Sequence, residues 1–295
     1  MTVYYANQET YQIESIKLTL EKALQGWGGI EGLLKGKQKI LLKPNLIKPY
    51  PVEAGVTTNP QFIVAIAELL LDHGVKVSVA DSPALGSVEE CMKMLKLDGE
   101  LKKRGIPYFT FKKAQYFKGS SLTYPILGVA REIFEFDGLI NLPKLKTHCQ
   151  TGFTGAVKNL YGCVPGKRKV VRHVISGNSI HSFLKMILRN AEIVAPLLTI
   201  ADGIHALHKN GPTRGEIYPL HSILISDNCL ELDWAFCRLI GMSPENTPLF
   251  QASCKTFDQL EIQGDPWEVH KDFIHAKRMP IVFYPIRIFK LLSRR

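Results

Sequence analysis

Residues 39–82 read KILLKPNLIKPYPVEAGVTTNPQFIVAIAELLLDHGVKVSVADS, and the architecture follows from them. Lys39–Leu42 is a short apolar run without alternation, the pattern of a strand covered on both faces, and it stops at Lys43-Pro44-Asn45. A Pro- and Thr-rich loop follows and closes with Thr57-Thr58-Asn59-Pro60. Thr58 or Asn59 is placed to cap a helix whose first residue is Pro60. That helix runs to His73, with Gly74 as its expected C-cap. Val75–Ala80 is a second strand and delivers Asp81-Ser82-Pro83 at its carboxyl end. Strand, helix and strand joined this way form a βαβ unit with a right-handed crossover. The expected class is therefore α/β, a mostly parallel or mixed sheet with helices on both faces. Ligands of such sheets bind beyond the carboxyl ends of the strands, so Lys43, Asn45 and Asp81 mark one rim.

The flanking sequence continues the alternation. Residues 11–36 read as a helix that fades at Gly26, Gly28 and Gly29. Val88–Arg104 reads as a helix, Tyr108–Phe111 as a strand, and 112–132 as a less regular stretch compatible with a hairpin. Gly138–Leu142 is a strand halted by Pro143, which has no N–H for a ladder. Ser179–Val194 reads as a helix, and Leu197–Ala201 as a strand ending in Asp202-Gly203. A loop containing Gly211-Pro212 and Arg214 leads to a strand at His221–Ser226 and a helix at Leu230–Ile240. Asp233, one turn into that helix, is suited to its dipole. The expected organisation is one α/β domain over 1–265, with its core at about 38–245, and a tail over 266–295. Within the tail, 279–295 mixes Phe, Ile, Leu and Tyr with Arg287, Lys290, Arg294 and Arg295. It reads either as a terminal helix packed on the domain or as a peripheral membrane or subunit contact.

Charge is distributed unevenly. Between Asp137 and Glu192 there is no acidic residue, while nine Lys or Arg fall in that interval. Removing those nine leaves 28 basic against 27 acidic residues, so the net charge of +10 belongs almost wholly to this segment. Its lysines alternate with Pro, Gly, Thr and Asn, and Gly152, Gly155, Gly162 and Gly166 allow main-chain amides close to a ligand. One basic segment in an otherwise neutral chain indicates a site for an anion, here expected as a loop.

Lys43, Lys144, Lys146 and Lys158 are the expected cradle for a carboxylate or phosphate, with Asn45, Thr147, Asn159 and Arg214 as further binding groups. His148, among positive neighbours that favour its neutral form, is the leading general acid/base, with Lys146, Asp81 and Asp202 beside it. The two aspartates have three uses open to them: orienting lysines, accepting a proton, or holding a divalent metal with substrate oxygens. Cys149 and Cys163 are candidates for activated thiolates.

No run of 18 apolar residues exists, so no spanning helix is expected, and the N-terminus lacks the form of a secretion signal. Six scattered cysteines without a CxxC pair read as free thiols in a reducing cytoplasm, unlike the close spacing of an iron–sulfur site. GxxxxGK[ST], GxGxxG after a strand, GxSxG and HExxH are all missing, so the motifs specify no cofactor.

The stretches LLKPNLI with TTNP, VKVSVADSP, INLPKLKTHCQTGFTGAVKNLYGCVPGKRK, ADGIHALHKNGPTRGE and ISDNCLELDWAFCRLIG, in that order, resemble the domain of unknown function 362 family. The resemblance implies an α/β domain of bacteria or archaea with no settled general reaction. Its recurrent positions here are Lys43, Asn45, Asp81, Lys144, Lys146, Thr147, His148, Lys158, Asn159, Asp202, Gly211, Pro212 and Asp233. Many relatives carry an added ferredoxin-like module with close-spaced cysteines; this chain resembles the form without it. The leading expectation is a cytoplasmic enzyme acting on a small anionic molecule. The alternative is a metal- or iron–sulfur-dependent redox protein. Nucleic-acid binding is less favoured, because only Phe153 and Tyr161 stand in the basic segment for stacking.

Overall fold

The computed structural model describes residues 2–166, 169, 172 and 179–279. The chain opens with β1 (Thr2–Asn7), which the sequence pattern did not announce. The helical stretch expected over 11–36 is broken: a helix at Ile13–Ala23, a tight turn, then a short helix at Gly29–Leu34. Gly28 and Gly29, at φ of 78° and 72°, make the break. Then come β2 (Lys39–Pro44), the helix Pro60–Asp72 capped by Asn59, and β3 (Lys76–Asp81). The single helix expected over 88–104 is two, Val88–Met94 and Asp98–Lys103, parted where Lys96 takes a φ of 54°.

β4 (Tyr108–Thr110) is followed by the hairpin β5 (Ala114–Lys118) and β6 (Ile126–Ala130), then β7 (Gly138–Leu142). The basic segment, expected as a loop, begins instead as β8 (Lys144–His148) and β9 (Gly152–Thr154), and continues as a single helical turn at Ala156–Asn159. After the helix Ile180–Val194 come β10 (Leu198–His208) and β11 (Glu216–Ser226), which take in much of the loop expected between them. The helices Cys229–Leu239 and Pro248–Ser253 and the short β12 (Glu261–Gly264) follow.

The main sheet runs β12-β1-β11-β10-β7-β2-β3-β4. From β10 to β4 neighbours are parallel, while β11 pairs antiparallel with both β10 and β1, so the sheet is mixed. Both faces are covered. Ile40 and Leu42 join the core beneath the helices Ile13–Ala23 and Pro60–Asp72. Leu41, pointing the other way, joins the core formed with Ile180–Val194 and Cys229–Leu239. This explains why β2 reads as an unbroken apolar run.

Pro143 is where the edge of the parallel core is handed over. β10 pairs with β7 through Leu198 and Thr199, then with β8 through Asp202 and Leu207. The Pro143 carbonyl accepts from Asp202 N at 2.9 Å, holding the two strands together across the break. The segment after β12 packs first on the helix Cys229–Leu239, where His270 N donates to the Leu239 carbonyl at 2.8 Å, and then reaches the end of β8, where Ala276 N donates to Thr147 Oγ1 at 2.6 Å and Met279 N to the Cys149 carbonyl at 2.7 Å. Residues 280–295, on which the membrane or subunit expectation rests, lie outside the described residues. Among the described residues no helix is long and apolar enough to cross a membrane.

Candidate functional site

Four strands and one helical turn deliver their polar groups to one place at the carboxyl rim. β2 supplies Lys43 and, just past its end, Asn45; β3 supplies Asp81, β8 supplies Lys144, Lys146 and His148, β10 supplies Asp202, and the turn Ala156–Asn159 supplies Lys158 and Asn159. Alternation along β8 sends Lys144, Lys146 and His148 to one face and Leu145 and Thr147 to the other.

Two lysines have carboxylate partners. Lys43 Nζ is 2.8 Å from Asp81 Oδ1 and donates to the Pro44 carbonyl at 2.7 Å. Gly162 closes over this pair; a Cβ there would strike both Asp81 Oδ1 and Lys43 Nζ. Lys144 Nζ is 2.9 Å from Asp202 Oδ2 and 2.8 Å from the Tyr11 hydroxyl, which itself donates to Asp202 Oδ1 at 2.7 Å. Both aspartates are then filled by main-chain donors: Leu46 N and Ser82 N on Asp81, Asn59 N on Asp202. Of the three uses open to them in sequence, orienting lysines is the one the hydrogen bonds carry.

Lys146 and Lys158 have no carboxylate. Lys146 Nζ donates to Asn45 Oδ1 and to the Val56 carbonyl, each at 2.7 Å, leaving one N–H of a protonated ammonium. Burial and the neighbouring charges of Lys158 and Lys144 hold its pKa well below the ordinary lysine value. Burial likewise brings Lys158 down to about 8. Lys144 is also lowered by burial, against the pull of Asp202. Lys169 donates to the Ser82 carbonyl beside Asp81, and burial lowers it to about 8.

A chain of amides holds these cations in register. Asn45 Nδ2 donates to Asn159 Oδ1 at 2.9 Å, Asn159 Nδ2 to Asn141 Oδ1 at 2.8 Å, and Asn141 Nδ2 to the Ala156 carbonyl at 3.1 Å. Because Asn45 Oδ1 already faces Lys146, the whole chain has one consistent orientation. Asp233 anchors the turn that carries Lys158. Its oxygens accept from Ala156 N at 2.6 Å and Val157 N at 3.1 Å, and Gly155 leaves the space they need. The sequence placed Asp233 on its own helix dipole; it serves the start of a different helix.

His148 is buried, and Gln150 N and Thr151 N both point at its Nδ1, at 3.1 and 3.3 Å. With these two N–H groups on Nδ1, the ring carries its proton on Nε2. Thr147 lies on the opposite face, engaged with Ala276 N and the Gly152 carbonyl. Arg214 is exposed in the β10–β11 connection, without a hydrogen bond or ion pair among the described residues. Burial pushes the Cys163 thiol up to about 12, which removes it as a thiolate. Among the described residues no group of three or more His, Cys, Asp or Glu is placed to hold a metal ion. Tyr11, Asn141, Lys169 and the anchoring role of Asp233 were not read from the sequence. Only Lys169, within the basic segment, carried a signal.

A mixed α/β sheet with buried lysines converging at its carboxyl rim defines the class of the fold and site. Residues 40–238 match the family described as Domain of unknown function (DUF362), and the chain belongs to that family. The thylakoid-associated protein of Synechocystis sp. is 32% identical over 251 residues, spanning 85% of this chain and 78% of that protein. A crystal structure of a Thermotoga maritima protein has a TM-score of 0.55 at 16% identity, covering 79% of this chain and 60% of that one. The lactate racemase apoprotein of Thermoanaerobacterium thermosaccharolyticum has a TM-score of 0.49 at 14% identity, covering 78% of this chain and 55% of that one. This chain thus spans under two thirds of either solved structure, and the Thermotoga likeness shows the fold alone.

Proposed function

We propose that this protein is an enzyme whose substrate is a small anion, a carboxylate or phosphate, bound between Lys146 and Lys158 at the carboxyl rim. One observation carries the reading: Lys146 is buried with Lys158 and Lys144 as neighbouring like charges, and neither Lys146 nor Lys158 has a carboxylate partner, whereas Lys43 and Lys144 do. Withdrawing the Lys146 ammonium from water beside a second cation and without a counter-charge is unfavourable, so the arrangement is at its most stable with an anion in place. The Asn45–Asn159–Asn141 chain supports it by fixing the geometry before the ligand arrives. Lysines with lowered pKa at the carboxyl rim also suit proton transfer, which favours an enzyme over a simple carrier. All six cysteines are free, which supports a reducing compartment such as the cytoplasm.

The test is a thermal-shift series of purified protein with inorganic phosphate, malonate and short monocarboxylates, repeated on Lys146→Met. A ligand that binds only the folded state raises the melting temperature. The expected result is a rise with at least one anion that Lys146→Met abolishes. A rise that survives the substitution would place the anion elsewhere and sink the reading.

A further inference from the structure

The hairpin of β5 and β6 stands apart from the main sheet as a separate two-stranded unit. Its register sets Tyr116 opposite Gly128 and Lys118 opposite Ile126, so these four share one face. The other face is turned inward: Leu127 and Val129 are fully buried, and Phe117 packs against the same core. Two hydrogen bonds fix the unit to the domain. The Tyr124 hydroxyl donates to the Arg172 carbonyl at 2.7 Å, and Arg189 Nε to the Lys118 carbonyl at 3.3 Å.

The outward face and the tip carry large apolar side chains into water. Leu122 is 100% exposed, Ile126 64% and Tyr116 62%. Single exposed aliphatics are ordinary, but three such residues on one short hairpin form a patch. The tip has a defined main chain. Gly119 N donates to the Pro125 carbonyl at 2.8 Å, Ser120 N to the Tyr124 carbonyl at 3.1 Å, and Tyr124 N to the Ser121 carbonyl at 3.0 Å. Leu122 is thereby held outward at the apex.

The same stretch is basic. Residues 112–131 contain Lys112, Lys113, Lys118 and Arg131, all exposed, and no Asp or Glu. Among the described residues none of the four is in an ion pair. Glu132, next in the chain, is turned onto the main chain, where its Oε1 accepts from Lys112 N at 3.0 Å and Lys113 N at 2.9 Å.

Charge selects the occupant of this face. A second copy docked through it would set these four cations against four identical ones. The chain's own 280–295 stretch, with Arg287, Lys290, Arg294 and Arg295 and no acidic residue, carries the same sign. An anionic surface is complementary. A convex apex bearing one leucine suits insertion among lipid headgroups, whereas a protein partner would have to supply a pocket for it.

We propose that the β5–β6 hairpin docks the protein on an anionic lipid surface. Leu122 and Ile126 enter the boundary of the acyl region, Tyr116 sits at headgroup level, and Lys112, Lys113, Lys118 and Arg131 face lipid phosphates. With only two aliphatic side chains inserted, the association is reversible and weakens as salt rises.

The experiment is flotation of the whole chain with vesicles of phosphatidylcholine alone, or of phosphatidylcholine mixed with an equal amount of phosphatidylglycerol. The expected result is binding to the mixed vesicles only, reduced by salt. Leu122→Ser combined with Ile126→Ser should weaken it roughly tenfold or more, since each change removes a buried aliphatic contact. Lys113→Glu with Lys118→Glu should weaken it independently. All four positions are exposed, so unchanged melting temperatures confirm that both variants fold. Equal binding to both kinds of vesicle, or none to either, overturns the proposal. Binding that survives the Leu122 and Ile126 changes would place the contact elsewhere, as would binding lost only on removal of 280–295. A dimer in lipid-free solution that Leu122→Ser dissociates would make a second copy the occupant and sink the lipid reading.

Discussion

Lys43 and Asp81, brought from neighbouring parallel strands, meet at 2.8 Å with side chains 0% and 4% exposed. The pair is a structural neutraliser. It lets β2 and β3 end in polar groups inside the protein, and it sets the floor on which Asn45 and Asn159 are arranged. Lys144 and Asp202 repeat the device on β8 and β10. With two lysines neutralised in this way, the positive charge left for a ligand is concentrated at Lys146 and Lys158.

Removing one partner leaves the other buried and uncompensated. Lys43→Met is therefore expected to destabilise the protein by roughly 3–5 kcal/mol. Lys43→Met with Asp81→Leu should lose less than the two single changes together, because the stranded charge is gone. Urea unfolding midpoints of the four proteins in the cycle measure this. Additive losses would mean that the ion pair has no energetic coupling.

The strands that carry Lys43 and Asp81 were legible because their signals are local: an apolar run, a stop, a capped helix and a second apolar run. The mixed sheet and two-faced core follow from the same pattern. What escaped was set by partners far along the chain. Lys144 and Lys146 read as loop residues, since lysines in a strand interior are uncommon, and nothing near them shows that Asp202, 58 residues away, is the partner of Lys144. Tyr11 reaches Asp202 across 191 residues, and Asp233 reaches Ala156 across 77, distances at which periodicity carries no information. The site was readable as a set of residue types, and its pairing was not.

Titration of Lys158 gives a signed expectation. Its pKa is about 8 in the folded protein against 10.5 ordinarily, so between these values the unfolded chain binds the extra proton. This group therefore reduces stability below about 8, and the deficit is recovered as pH rises toward 10.5. Lys158→Met is expected to make the ligand-free protein more stable by about 1 kcal/mol or more at neutral pH. That advantage should shrink across the same interval. Guanidinium unfolding of both proteins as a function of pH reads it directly, and a constant difference would count against a strained ammonium at Lys158.

The cysteines divide by environment. Burial pushes Cys91 and Cys163 up to about 12 and Cys237 well above its ordinary value, while Cys254 is exposed. Iodoacetamide at neutral pH should alkylate Cys254 and leave Cys91, Cys163 and Cys237 unmodified until denaturant is added, because the thiolate is the reacting form. Peptide mapping of the alkylated protein distinguishes these classes. Rapid labelling of Cys163 in the native state would reopen it as an activated thiolate beside Lys43.

Asp233 offers the opposite titration. Burial raises its pKa from 3.8 to about 7, against two main-chain N–H groups that favour the ionised form. A carboxyl whose folded pKa is raised contributes most stability below its unfolded value, and that contribution is lost as pH rises through the folded one. The advantage of the wild-type protein over Asp233→Asn should therefore be largest near pH 3.8 and fall by about pH 7. Asp233→Ala has a different consequence. It leaves Ala156 N and Val157 N without their acceptor, at a cost of about 1–3 kcal/mol for each buried group left unsatisfied. Because the same turn carries Lys158 and Asn159, the loss should extend to function: phosphate should shift the melting temperature of Asp233→Ala less than that of the wild type, even where both are folded. Equal shifts would show that the turn keeps its place without Asp233, and that the Asn45–Asn159–Asn141 chain suffices to position Lys158.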